Sequence, residues 1–131
     1  MTLVVCNNGE GDALDAFTGK TLPSTLVLKL YGSNTTPAET DTAGTYTEYS
    51  ATGYSAITLT AASWVTTEGA PSNTAYAQQT FTMSGAGDAY GYYMVRNTGG
   101  RLAVAERFTS APFVIPSGGG TIKVTPVITA D

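Results

Sequence analysis

The sequence contains no histidine and a single cysteine, Cys6, among its 131 residues. Without histidine there can be no Ser-His-Asp triad, no Cys-His nucleophile pair and no histidine-ligated metal. Most hydrolase mechanisms are thereby excluded, and neither a cofactor nor a metal is expected. A lone Cys6 cannot close an intramolecular disulfide and is expected as a small buried apolar residue. Charge is scarce too, at 12% of residues, and the six bases (Lys20, Lys29, Arg96, Arg101, Arg107 and Lys123) are scattered through a chain of net charge −4. Nucleic acid binding depends on clustered bases that release counterions, so no nucleic acid partner is expected. No apolar run approaches the roughly 18 residues of a membrane span. The stretch around Leu3 and Cys6 is too short for a signal-peptide core, and no Lys or Arg precedes it, so neither membrane nor export is expected.

Short matches to chemical motifs fail on inspection. Gly19-Lys20-Thr21 lacks the upstream glycine of a phosphate loop, and Asn34-Thr35-Thr36 is an acceptor pattern that matters only in a secreted eukaryotic protein. A glycosidase needs two carboxylates across a cleft, which Asp88 and Glu106 could supply only if their strands pair in that register. The expectation is a protein that is not an enzyme.

What the sequence does have is Thr, Tyr, Val and Ile in short runs separated by Gly, Pro, Asn and Ser, the pattern of many strands joined by turns. Leu26, Leu28 and Leu30 alternate with Val27, Lys29 and Tyr31 in a strand after Pro23; both faces are partly apolar, which predicts a central strand. Further strands are expected over 76–83, 88–95 and 101–108, with shorter ones near 46–49, 56–60 and 63–66. Asn97-Thr98-Gly99-Gly100 supplies a tight hairpin turn between two of them. Ser117-Gly118-Gly119-Gly120 turns into a last strand with Ile122, Val124 and Ile128 on one face. The total of about seven or eight antiparallel strands predicts an all-β fold of β-sandwich or jelly-roll type. At most one short helix is expected, over 12–17, where Ala13, Leu14, Ala16 and Phe17 precede Gly19. The chain thus divides into an N-terminal segment, 1–22, helical or a contact arm, and a β-sandwich domain, 23–131.

Residues 33–45 carry Thr36, Pro37, Glu39 and Asp41 without hydrophobic periodicity, near the upper length for an idle loop in a compact domain. They read as an exposed loop or as an arm that orders against a neighbouring subunit. Strict alternation places Glu106 on the face of Leu102, Val104 and Phe108. There it must reach water, meet Arg96 across the hairpin, or pair with another subunit. Tyr90, Tyr92 and Tyr93 serve either core or contact, since a tyrosine ring joins apolar area to a hydroxyl that tolerates water.

Several stretches resemble small virion structural proteins of tailed bacteriophages: Tyr76-Ala77-Gln78-Gln79-Thr80-Phe81-Thr82, Tyr90-Gly91-Tyr92-Tyr93, Ala105-Glu106-Arg107-Phe108 and Ile122-Lys123-Val124-Thr125-Pro126. The stretch from Leu26 through Tyr31 and Thr58-Leu59-Thr60-Ala61-Ala62-Ser63-Trp64 fit the same pattern, so the resemblance runs from about Leu26 to the end. The sequence departs from that pattern over 116–120, which is glycine-rich, and at Ala103, where a larger residue is expected. Proteins of this kind are head decoration (cement) proteins or minor tail and fibre components. The resemblance implies a homotrimer on the capsid exterior of a virion, made in the host bacterial cytoplasm, with the major capsid protein as partner. A small carbohydrate-binding module is the remaining alternative. Tyr90, Tyr92, Tyr93, Glu106, Arg107, Thr36, Pro37 and Asp41, with the N-terminal segment, are the expected contact residues.

Overall fold

The computed structural model describes residues 3–21 and 24–130. In chain order its elements begin with β1 (Val4–Val5), α1 (Asn7–Phe17), β2 (Leu26–Tyr31), β3 (Ile57–Leu59), β4 (Val65–Thr67), β5 (Ser72–Ala75) and β6 (Gln79–Met83). They continue with β7 (Gly87–Ala89), β8 (Gly91–Arg96), β9 (Leu102–Arg107), β10 (Phe113–Ile115), β11 (Gly120–Val124) and β12 (Val127–Ala130). Among the described residues the chain is all-β with one α-helix, as the sequence predicts. Pro23, expected just before the first long strand, lies outside the described residues.

One five-stranded antiparallel sheet, in the order β1-β9-β8-β2-β3, organises the molecule. The doubly apolar β2, expected as a central strand, takes an interior place beside the middle strand β8, hydrogen-bonded to β8 on one side and to the edge strand β3 on the other. Three smaller sheets accompany it: β10-β7, β11-β6 and β12-β5-β4. The main core lies where Leu28, Leu30, Tyr92, Met94 and Val104 from the large sheet meet Phe81, Met83, Ile115, Ile122 and Val124 from the small ones. Each such side chain contributes on the order of 1.5–3 kcal/mol by leaving water. On the other face Tyr31, Tyr93, Val95, Leu102 and Ala105 form a second cluster with Cys6 and Tyr46.

The twelve strands among the described residues exceed the expected seven or eight because β1, β5 and β10 form in stretches where no strand is expected and because longer runs change partners midway. The run 88–95 is cut at Tyr90: β7 pairs with β10, whereas β8 pairs with β2 and β9. Gly91 follows the cut, where any side chain would strike the Tyr31 ring and the Glu106 carbonyl. Similarly, the run 76–83 is strand only from Gln79; before it, β5 belongs with β12 and β4. Strands that pass from one sheet to another make corners in this way. Ile128 lies on β12 rather than beside Ile122 and Val124 on β11, and residues 46–49 give only an isolated bridge between Glu48 and Tyr31.

The hairpin of β8 and β9 forms as expected, with Gly99 at φ 82° and Gly100 at φ 65° in the turn. Its register shifts between Met94 and Val95, which leaves Ala103 as an extra, unpaired residue on β9. Such a bulge inverts the alternation beyond it. Leu102 therefore joins the second cluster while Val104 faces the main core, so Glu106 does not share a face with Leu102.

Helix α1 begins at Asn7, not near residue 12. Gly9 explains the difference: a side chain there would run into the Ala103 backbone, so glycine lets the helix lie directly on the bulge.

Candidate functional site

Residues 33–45 are a cover over their own sheet rather than a free arm. Arg107 Nη1 donates to the Thr35 carbonyl at 3.0 Å and Nη2 to Asn34 Oδ1 at 2.7 Å, while its guanidinium lies 5.4 Å from the centre of the Tyr90 ring. The Tyr31 hydroxyl donates to the same Thr35 carbonyl at 3.2 Å. Asp41 Oδ2 accepts the Ala38 amide at 2.9 Å and the Tyr46 hydroxyl at 2.7 Å. The Tyr46 ring in turn stacks on Tyr93, with centroids 5.2 Å apart. At the far end the Asn7 amide donates to Glu39 O at 2.8 Å, tying the cover to the start of α1.

Burial dominates the acid–base character of this region. It pushes the Tyr31 hydroxyl up to about 12, against a smaller lowering by the Arg107 charge, and the Tyr93 hydroxyl up to about 12, helped by Glu48. Tyr46 is raised further by burial and by its bond to Asp41. Cys6, fully buried as expected, has its thiol pushed up to about 11 by burial and then by Asp41 and Glu10. A thiol so raised is protonated at neutral pH and a poor nucleophile.

On the opposite face Tyr92 donates its hydroxyl to Glu106 Oε2 at 2.6 Å, and burial followed by this bond holds its proton far above the ordinary tyrosine range. Glu106 thus finds its partner inside the chain. Arg96, the expected cross-hairpin partner, goes instead to Asp12 Oδ1 on α1 at 3.2 Å. Asp88 pairs with Val114 on β10 and Glu106 with Tyr92 on β8, so the register that would set those carboxylates against each other does not form. Among the described residues no cluster of three or more His, Cys, Asp or Glu is placed to hold a metal ion.

Of the expected contact residues the structure brings together Tyr90, Arg107 and the loop holding Thr36 and Pro37; Thr36 is exposed, and Tyr90, Pro37 and Asp41 are half-buried. Tyr92 and Tyr93 are corrected from contact to core. Neighbours in a strand point to opposite faces, and here both faces are covered, leaving 5% and 3% of these residues exposed.

The apolar groups that do reach the surface lie elsewhere. Phe17 is 90% exposed and Leu14 66% exposed on α1. Val65 on β4 and Val127 on β12 are exposed opposite the same Ala75 of β5, making an apolar row across the three-stranded sheet. Phe113 and Val114 are exposed on β10. In sequence Leu14 and Phe17 mark only a short helix and leave its facing open. The helix presents Gly9, Asp12, Ala13 and Ala16 to an apolar groove of 270 Å³ against the sheet, completed by Val5, Leu26, Val104 and Ile128 among others. The i, i+3, i+4, i+7 spacing of those four residues was the available signal. No protein-family model matches this sequence, and no curated protein matches it either.

Proposed function

We propose that this chain is a non-catalytic building block of a tailed-phage particle, binding the outside of the capsid and bridging neighbouring capsid subunits. The observation that carries the reading is the placing of large exposed apolar side chains on three separate elements: Leu14 and Phe17 on α1, Val65 and Val127 on the three-stranded sheet, Phe113 and Val114 on β10. Apolar surface of this kind marks sites of association. A domain that bridges several neighbours needs more than one such patch, and weak contacts engaged together hold far better than any one alone. The sequence resemblance from about Leu26 onward supports the phage particle as the setting and the major capsid protein as the partner. Net charge −4 suits the exterior of a particle better than its DNA-filled interior.

Quantifying this chain on gels of purified particles, together with cryo-EM of the same particles, tests the proposal. A copy number comparable with that of the major capsid protein, and density on the outer shell, is the expected result. A copy number that is a small fraction of it, with density confined to the tail, gives the role of a tail or fibre component instead. Absence from particles removes the phage reading altogether.

A further inference from the structure

The α1 patch carries both halves of a contact. Phe17 projects from the last turn of the helix with 90% of its surface open, so it does not fill the groove beside it. That groove, 270 Å³ and lined by Val5, Ala13, Ala16, Leu26, Val104 and Ile128 among others, has ample room for an aromatic ring, given that a cavity of about 150 Å³ lined by apolar residues accepts benzene. Knob and hole are close neighbours. Ala13 and Ala16 line the groove, and Phe17 lies within about one helical turn, roughly 5.4 Å of rise, of both.

The charges around the patch favour a second copy of this chain as its occupant. The acids of α1 are Glu10, Asp12 and Asp15. Three bases bond to the helix: Lys20 with Asp15 at 3.4 Å, Arg96 with Asp12 at 3.2 Å and Arg101 with Asp12 at 3.7 Å. This face is balanced. The remaining seven acids, against Lys29, Arg107 and Lys123, carry the whole net charge of −4. Two acidic copies can therefore meet here without the like-charge repulsion they would feel elsewhere.

We infer that two copies of this chain pair about a two-fold axis beside α1, each inserting Phe17 into the apolar groove of the other. A two-fold pair uses one self-complementary patch twice and closes on itself. It stands in place of the trimer that the family resemblance implies. The inference rests on the adhesive reading of α1 given above but not on the presence of a capsid.

Sedimentation of the purified full chain alone tests it. The wild type should show a monomer–dimer equilibrium, and Phe17→Ser should weaken it at least about tenfold, because buried aromatic anchors dominate such contacts. Phe17 is exposed in the single chain, so this variant should fold normally, which circular dichroism checks. Ala13→Glu, at an exposed helical position, places a charge at the groove and should abolish pairing as well. A mixture of the two variants regains one intact knob and one intact groove per pair, and should dimerise more tightly than either variant alone. Val65→Ser should leave the equilibrium unchanged. A wild type that stays monomeric at its highest soluble concentration, a trimer, or a dimer that survives Phe17→Ser but not Val65→Ser would overturn the inference. A chain that pairs in solution but is missing from particles would leave the pair standing and remove the capsid role; a monomer found on capsids would do the reverse.

Discussion

The two faces of the five-stranded sheet are covered in different ways, and their composition follows the difference. The main face is roofed by strands that satisfy their own backbone groups, so its core is built mainly from Leu28, Leu30, Met94, Phe81 and Ile122, and its tyrosines turn chiefly to carboxylates, Tyr92 to Glu106 and Tyr54 to Glu48. The second face is roofed in part by residues 33–45, a half-exposed segment without long regular pairing, whose inward carbonyls and amides still need partners where they face the sheet. Tyrosines and an arginine supply them: Tyr31 and Arg107 reach Thr35, and Tyr46 reaches Asp41, while their rings and stems fill the space beneath. A loop can thus close a sheet if the side chains under it are apolar in body and polar at the tip.

Alkali should have the largest effect and should act on both faces, since burial raises Tyr54 and Tyr92 against the main core as well as the tyrosines of the second face. Tyr31 and Tyr93 titrate at about 12 in the folded chain against an ordinary value of 10.0. The stability they contribute is therefore whole below pH 10 and is lost as the pH rises through about 12. Tyrosinate absorbance and far-UV circular dichroism followed together should show these tyrosines ionising only as the fold is lost; early ionisation without unfolding would mean the cover is loose. In the main core, Leu28→Ala should cost about 2–5 kcal/mol in urea denaturation, the range for a large buried aliphatic cut to alanine. On the second face Tyr46→Phe keeps the ring but removes the donor to Asp41, and should cost about 1.5–3 kcal/mol, as for other hydrogen bonds to charged groups. Replacing Lys29, whose pair with Glu48 at 3.1 Å is partly exposed, by methionine should change stability by less than about 1 kcal/mol in the same assay.

Much of the main face was readable in the sequence, because period-two alternation in β2, β6 and β11 and the Gly99-Gly100 turn are local signals. The second face was not. Its cover holds through contacts such as Arg107 with Thr35, 72 residues apart, which no periodicity records. The bulge at Ala103 is one unpaired residue, yet it reverses the face of Leu102 and so misplaces Glu106 in any strict alternation. Helix α1 was half visible: Gly9 and Gly11 look like breakers until the sheet beneath Gly9 is known. Among the expected contact residues, adjacent Tyr92 and Tyr93 could be assigned only once both faces were seen to be closed. The apolar surface of α1 was missed because an amphipathic stripe does not announce which side the core is on.

Helix α1 has no fully buried residue, no side-chain cap at Cys6 and no basic residue in its last turn, and two glycines lie within it. Intrinsic propensity alone would not keep such a segment wound. Its anchors are the seat of Gly9 on Ala103 and the links from Arg96 and Arg101. The helix should therefore detach and reseat as a unit while the sheet stays intact. Deuterium should enter its amides long before those of β8 and β9, at a rate set by this local opening rather than by global unfolding.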